Sequence, residues 1–116
     1  MPRKPTPVHV LKMLFGVRDA EAAEGFFFEG LWHAEQGNEE AARELFRAAA
    51  MLDKRFGGAR YNLAALTEKR LGAAPETIAA WRDYVVCAVN DSRQPAQTID
   101  KVRRHIADLE KKAKRG

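Results

Sequence analysis

The sequence predicts an all-α fold built from antiparallel pairs of helices, and three observations indicate it. Apolar residues recur at helical spacing in several stretches, and no segment shows the period-two alternation of a strand. Glycine and proline separate these stretches at Gly37, Gly57-Gly58, Gly72 and Pro75. The 116 residues are 46% hydrophobic and 31% charged, which is typical of one small, soluble globular domain.

Residues 1–18 form a basic N-terminal segment with no acidic residue. The stretch PRKPTP contains too much proline for a helix. Val8, Leu11, Leu14 and Phe15 then follow helical spacing up to Gly16, which predicts a short helix over 8–16. This helix either docks on the domain of residues 19–116 or is a frayed end.

The first two helices of that domain are joined at Gly37. Asp19 is a plausible N-cap for a helix that runs to about Gln36. Gly37 permits a tight reversal, and Asn38 can cap a second helix that runs to about Arg55.

The remaining three helices follow the pair of glycines at 57–58. The third is expected over about 59–71 and ends at Gly72, and Pro75 lies in the first turn of the fourth, which runs to about Val89. The stretch NDSRQP is a loop, and a last helix covers about 96–114. Its packing face has 3-4 spacing: Ile99, Val102, Ile106, Leu109 and Ala113.

The chain also repeats itself with an offset of 35 residues. The segment GNEEAARELFRAAAMLDKRF aligns with GAAPETIAAWRDYVVCAVND, and a helix precedes each copy. The matched pairs are Gly37 with Gly72, Ala42 with Thr77, Phe46 with Trp81, and Ala49 with Tyr84.

This unit resembles the tetratricopeptide repeat, a helix–turn–helix of 34 residues. In the first copy, Phe26, Gly30 and His33 stand at the Trp, small and Tyr positions, and Ala42, Phe46 and Ala49 match the second helix. In the second copy, these first-helix positions hold Arg60, Leu63-Ala64 and Thr67. The resemblance implies an α-α superhelix of two hairpins, about 23–56 and 57–91, with a capping helix at about 95–114.

Two residues depart from the family pattern. Glu29 stands where the family has leucine, and Arg60 replaces an aromatic residue. Either these side chains reach solvent, or the local register is shifted by one residue. In this alignment, Ala42 and Ala49 are small because helices approach closely there, and Phe46 fills the gap between neighbouring pairs. We expect Phe46→Ala to cost about 3–5 kcal/mol of unfolding free energy.

The resemblance also implies a concave groove lined by the first helix of each hairpin. The groove positions carried over are Phe27, Leu31, Glu35, Tyr61, Asn62, Ala65 and Lys69, with Glu24, Ala34 and Glu68 beside them. Because Phe26, Phe27 and Phe28 point about 100° apart on a helix, they cannot all enter one core. At least one of them, with Leu31 or Trp32, is expected to face the groove or a neighbouring helix such as residues 8–16.

These features predict a cytoplasmic protein-interaction module, either an adaptor (scaffold) or a chaperone-like protein, that holds a partner peptide in a largely apolar groove. Only Asn62 matches the family's Lys/Asn carboxylate clamp, so a clamp of that kind is not expected. Two alternatives stay open. One is end-to-end self-assembly, and the other is nucleic-acid binding through the basic termini: Arg103, Arg104, Lys111, Lys112, Lys114 and Arg115.

An enzyme is not expected. His9, His33 and His105 lie in no nucleophile or metal motif, and Cys87, the only cysteine, is predicted to be a small core residue. No catalytic residue, cofactor or metal is assigned, and no apolar run approaches the roughly 20 residues of a membrane-spanning helix.

Overall fold

The computed structural model describes residues 18–115, and within this range it contains five α-helices and no strand. They are α1 (Asp19–Glu35), α2 (Glu39–Leu52), α3 (Gly57–Leu71), α4 (Pro75–Ala88) and α5 (Ala96–Arg115). Helix α1 packs against α2, α3 against α4, and α4 against α5. The predicted all-α fold of helical hairpins is therefore confirmed. The short helix predicted over 8–16 lies outside the described residues.

Three helix boundaries differ from the predicted ones. Helix α1 begins at Asp19 itself, because Arg18 is the extended N-cap residue and its guanidinium binds Glu21 Oε1 at 2.9 Å. Helix α2 ends at Leu52, three residues early, since Asp53 is extended with φ −131° and ψ 100°. Helix α3 starts at Gly57 rather than residue 59, so the two glycines belong to its first turn.

The chain divides into two compact units, one up to Lys54 and one from Arg55. The turn glycine of each unit has a positive φ, 81° at Gly37 and 65° at Gly72. Residues with a Cβ rarely adopt this conformation. These are the two glycines that the 35-residue alignment matches, but Gly37 follows the C-cap residue of α1 whereas Gly72 is itself the C-cap residue of α3.

In the first unit, the Phe46 ring of α2 packs against Gly30 of α1, which has no side chain. Phe46 is fully buried, and a Cβ built on Gly30 would lie 2.8 Å from its Cε1 atom. The Phe27 ring centroid is 5.7 Å away from that of Phe46. Ala42 and Ala49, one turn to either side, are also fully buried. Close packing of α1 on α2 therefore depends on small residues around one large ring.

Glu29, next to Gly30, is a correction to the sequence analysis. Its side chain does not reach solvent: the residue is only 8% exposed, and Oε1 has no hydrogen-bond partner. Arg60, the other departure, is half-buried, and its Nε atom has no partner. Exposure of Glu29 to solvent is therefore wrong, while the contact of Gly30 with Phe46 agrees with the predicted inward position of Gly30.

The second unit repeats the buried positions of the first with larger residues. Thr77 and Tyr84 are fully buried, and Trp81 is 5% exposed. The core shared by α3, α4 and α5 consists of Ala64, Ile78, Trp81, Tyr84, Ala88, Ile99, Val102, Ile106 and Leu109. Ala113, predicted on the same face of α5, is exposed because packing ends at Leu109. Cys87 is buried, as predicted.

The loop between α4 and α5 is tied to the start of α3 by Asp91. Its carboxylate accepts the Gly57 N–H at 2.9 Å and the Arg93 Nε–H at 2.8 Å. A Cβ on Gly57 would lie 2.5 Å from Gln94 Cγ and 3.1 Å from Asp91 Oδ2. Gly57 therefore begins α3 at a place where no side chain fits.

The structure contains no candidate for a membrane span: none of the helices within residues 18–115 is both long enough and apolar enough.

We expect Gly30→Ala to destabilise the first unit by about 1–3 kcal/mol, because the added methyl group collides with Phe46. Urea unfolding gives the change in unfolding free energy. The matched control is Gly30→Ala combined with Phe46→Leu. If the clash is the cause, the double variant loses less than the two single variants together, whereas strict additivity would contradict it.

Asp91 makes the free energy of unfolding depend on pH in the acid range. Burial raises the pKa of its carboxyl, but the hydrogen bonds from Arg93 and Gly57 and the Arg93 charge outweigh burial, so the pKa is lower than usual. Because the pKa of Asp91 is lower in the folded state, its carboxylate stabilises the fold at pH values above the ordinary aspartate pKa of 3.8. This contribution is lost as the pH falls through the folded-state pKa.

We therefore expect Asp91→Ala to cost about 1–3 kcal/mol at pH 7, because the Gly57 N–H loses its acceptor. The difference from wild type should shrink below about pH 4, which urea unfolding across pH measures. The exposed Asp83→Asn is the control. A difference that stays constant down to pH 2 would show that the Asp91 charge is not involved.

Candidate functional site

The second unit contains a cleft of about 460 Å³ between α3 and α5, with α4 as its floor. This volume lies within the roughly 300–1,000 Å³ usual for ligand-binding clefts. The lining residues are Tyr61, Ala65 and Glu68 of α3, Trp81 of α4, and Thr98, Lys101, Val102 and His105 of α5.

Helical spacing explains why these side chains share the cleft. Residues three and four apart lie on one face of a helix. Tyr61, Ala65 and Glu68 follow this spacing on α3, and Thr98, Lys101 or Val102, and His105 follow it on α5. Each wall spans seven or eight residues, so the cleft runs for about 10 Å along both helices. Its shape is that of a short channel between two helices.

Aromatic rings form the floor and one side of the cleft. The Trp81 ring has its centroid 5.0 Å from that of Tyr61 and 5.5 Å from that of His105, both edge-to-face. Because Trp81 is almost completely buried, it offers little surface to a ligand. Tyr61 is 38% exposed and is the accessible aromatic side chain of the cleft.

Glu68 joins the three helices of the second unit through hydrogen bonds. Its Oε1 atom accepts the Trp81 Nε1–H at 2.8 Å and lies 2.5 Å from His105 Nε2. Partial burial raises the pKa of the Glu68 carboxyl, but the bonds from His105 and Trp81 and the charges of His105 and Lys112 outweigh burial. The Glu68 pKa is therefore lower than usual, which keeps the side chain ionised at neutral pH.

Tyr84 lies behind the cleft wall, in contact with the Tyr61 ring. Its hydroxyl donates a hydrogen bond to Gln94 Oε1 at 2.8 Å, and its ring centroid lies 5.3 Å from that of Tyr61. Burial, followed by the charges nearby, raises the pKa of the Tyr84 hydroxyl, so it stays neutral and remains a donor. Tyr84 thereby connects the cleft to the loop that Asp91 holds.

The predicted groove residues of the second unit separate into two groups. Tyr61 and Ala65 line the cleft. Asn62 is half-buried and does not line the cleft. Its Nδ2 donates a hydrogen bond to the Gly58 carbonyl at 2.8 Å, one turn earlier in the same helix. Lys69 is exposed but is not among the lining residues.

The predicted groove residues of the first unit belong to the α1–α2 hairpin. Phe27 is half-buried against Phe46 and Phe28, Leu31 is half-buried, and Glu35 is exposed. Of the three consecutive phenylalanines, Phe28 is the most exposed, at 57%. The expectation that the three rings cannot all be buried is confirmed. The assignment of Phe27, Leu31 and Glu35 to a groove stays a prediction.

Most of the α5 wall was not predicted from the sequence. Thr98, Lys101 and His105 were not assigned to a site, and Val102 was assigned only to the core. A signal was present: residues 98, 101 and 105 are spaced 3-4, directly beside the packed line of Ile99, Val102 and Ile106. The first helix of each hairpin was expected to line the groove, but here the final helix forms one wall.

Within the part of the chain that the structure describes, no three His, Cys, Asp or Glu side chains lie close enough together to hold a metal ion. The paired Glu68 and His105 share one short hydrogen bond. What the cleft offers chemically is an apolar surface, a hydroxyl at Thr98 and a cation at Lys101.

We expect Glu68→Ala to destabilise the protein by about 1–3 kcal/mol, because the buried Trp81 N–H loses its acceptor. Glu68→Gln retains an acceptor oxygen and should lose less. Urea unfolding measures both, and the near-ultraviolet circular dichroism of tryptophan reports the local change. Equal losses in the two variants would show that the hydrogen bond to Trp81 is not the main contribution.

Comparisons of the chain with models of protein families, with curated proteins and with solved structures each give no significant match.

Proposed function

We propose that this chain is a protein-interaction module that holds a short segment of a partner protein in the cleft between α3 and α5. The observation that carries the proposal is the cleft itself, with the accessible side chains of Tyr61 and Ala65 along one wall. Grooves between helices are a recurring site for extended or helical peptides. The cleft is long enough for two or three residues of an extended chain, at about 3.3 Å each.

The pattern of burial supports a preformed site. Trp81 is held by edge-to-face contacts with Tyr61 and His105 and by its hydrogen bond to Glu68. A wall whose side chains are already fixed loses little conformational entropy when a ligand binds. The accessible Tyr61 ring is of the type enriched at the energetically important positions of interfaces.

The internal repeat is a further argument for this class of function. Both turn glycines have a positive φ, and Ala42, Phe46 and Ala49 are buried like Thr77, Trp81 and Tyr84. This agrees with the proposed resemblance to tetratricopeptide repeats, whose stacked helix pairs present concave binding surfaces. An adaptor or chaperone-like protein of the cytoplasm is the role that we propose on this basis.

Selection of random phage-displayed peptides on the protein tests this function. We expect the selected peptides to bind wild type and Val86→Phe alike but to bind Ala65→Phe about tenfold or more weakly. The added ring enters the cleft in Ala65→Phe, whereas Val86 is 69% exposed on α4 and does not line it. Fluorescence anisotropy gives the affinities, and circular dichroism checks that both variants fold.

Amide chemical shifts add the location of binding. Peptide titration should move the signals of residues around Tyr61, Ala65 and Val102. Failure to select any peptide, or unchanged affinity for Ala65→Phe with shifts around Val86, would overturn the proposed function. Sedimentation of the protein alone identifies self-assembly, the alternative that the exposed Val86 and Val89 of α4 favour.

A further inference from the structure

We infer that the segment taken up by the cleft is acidic, with an apolar side chain in the channel and carboxylates along α5. This inference rests on the proposed function and adds the chemistry of the partner. It is carried by three observations: the charge of one face of α5, the state of the single acidic group in the cleft, and the nature of the exposed aromatic surface.

One face of α5 is strongly basic. Residues 101, 104, 108, 111 and 115 are spaced 3-4-3-4, and all are basic except Asp108. This line begins at Lys101, which is itself a lining residue of the cleft. Lys112 lies close enough to Glu68 to lower the pKa of that carboxyl, which places its charge near the cleft as well.

These cations are available to a ligand. Lys101, Lys111 and Arg115 are exposed, and within residues 18–115 none of them forms an ion pair. The acidic side chains Asp100 and Glu110 of α5 pair with Arg103 and Arg82. On the side of α5 that borders the cleft, the basic side chains therefore outnumber the one acidic side chain, Asp108.

The cleft contains one acidic side chain, and it is already engaged. Glu68 Oε1 binds both Trp81 Nε1 and His105 Nε2, so one of its two carboxylate oxygens is already engaged. Across the whole second unit, residues 55–116 contain thirteen basic and seven acidic side chains. The lining itself carries Glu68 and Lys101, so the excess positive charge that favours a negatively charged segment comes from the basic side chains of α5 around the cleft.

The exposed aromatic surface favours a peptide over a nucleic acid. Single-stranded nucleic acid is held by successive aromatic rings on which its bases stack. In the cleft the accessible rings are Tyr61 and His105, and the His105 ring is fixed by its hydrogen bond to Glu68 and its edge-to-face contact with Trp81, which is only 5% exposed. One tyrosine beside an apolar channel suits one anchoring side chain, with the charges around it recognised by lysine and arginine.

Three labelled peptides of about twelve residues provide the test. Each has a central Leu-Phe pair, flanked by Glu in the first, Gln in the second and Lys in the third. At about 50 mM salt we expect the Glu peptide to bind at least tenfold more tightly than the Gln peptide, and the Lys peptide to bind most weakly. The preference should decrease as salt is added, since screening weakens the contacts.

The sequence offers a matched pair of charge variants. Lys101→Gln/Lys112→Gln removes two charges on the cleft side of α5, and Arg103→Gln/Lys114→Gln removes two charges, with the same spacing of eleven residues, about 200° away. We expect the first pair to lower the affinity for the Glu peptide about fivefold or more and to leave the affinity for the Gln peptide unchanged. The second pair should change both affinities by less than about twofold.

The outcomes separate the inference from the proposed function. Equal binding of the Glu and Gln peptides, or equal effects of the two charge pairs, overturns the acidic segment and leaves the peptide cleft in place. No binding of any of the three peptides overturns the acidic segment, and it overturns the proposed function as well only if the phage selection also yields no peptide. Displacement of the Glu peptide by oligouridine of the same charge at lower concentration assigns the basic face to nucleic acid. A salt-sensitive dimer without peptide assigns it to a second copy, and either result overturns the inference.

Discussion

A large aromatic side chain in the middle of the second helix sets the spacing of the helices in both units. In the first unit, Phe46 occupies the space that the missing side chain of Gly30 leaves open. In the second unit, the larger Trp81 contacts Tyr61, Tyr84 and His105 at once. Trp81 thus lines the cleft that α3 and α5 border.

The sequence was sufficient for the fold and for part of the site. Hydrophobic spacing and turn glycines predicted five helices, and the aligned positions of Phe46 and Trp81 are buried in both copies. Local signals predict which face of a helix packs, and so they identified Tyr61 and Ala65. They do not say which other helix lies opposite, and for that reason Lys101 and His105 were missed.

Other misses came from contacts between residues that are distant in sequence. The start of α3 at Gly57 depends on Asp91, 34 residues later, which accepts the Gly57 N–H. No pattern around the two glycines contains that information, and glycine pairs are normally taken as breaks. Glu29 shows the opposite limit: a charged residue predicts exposure, but in the fold this residue is only 8% exposed.

The single thiol of the chain has a consequence for dynamics. Cys87 lies on α4 in the interior of the second unit and is 7% exposed. A thiol reagent reaches such a sulfur only when the surrounding helices separate, so its rate of modification in native buffer reports how often that unit opens. Because the sequence has no other cysteine, the modification rate can be assigned to Cys87 without any substitution.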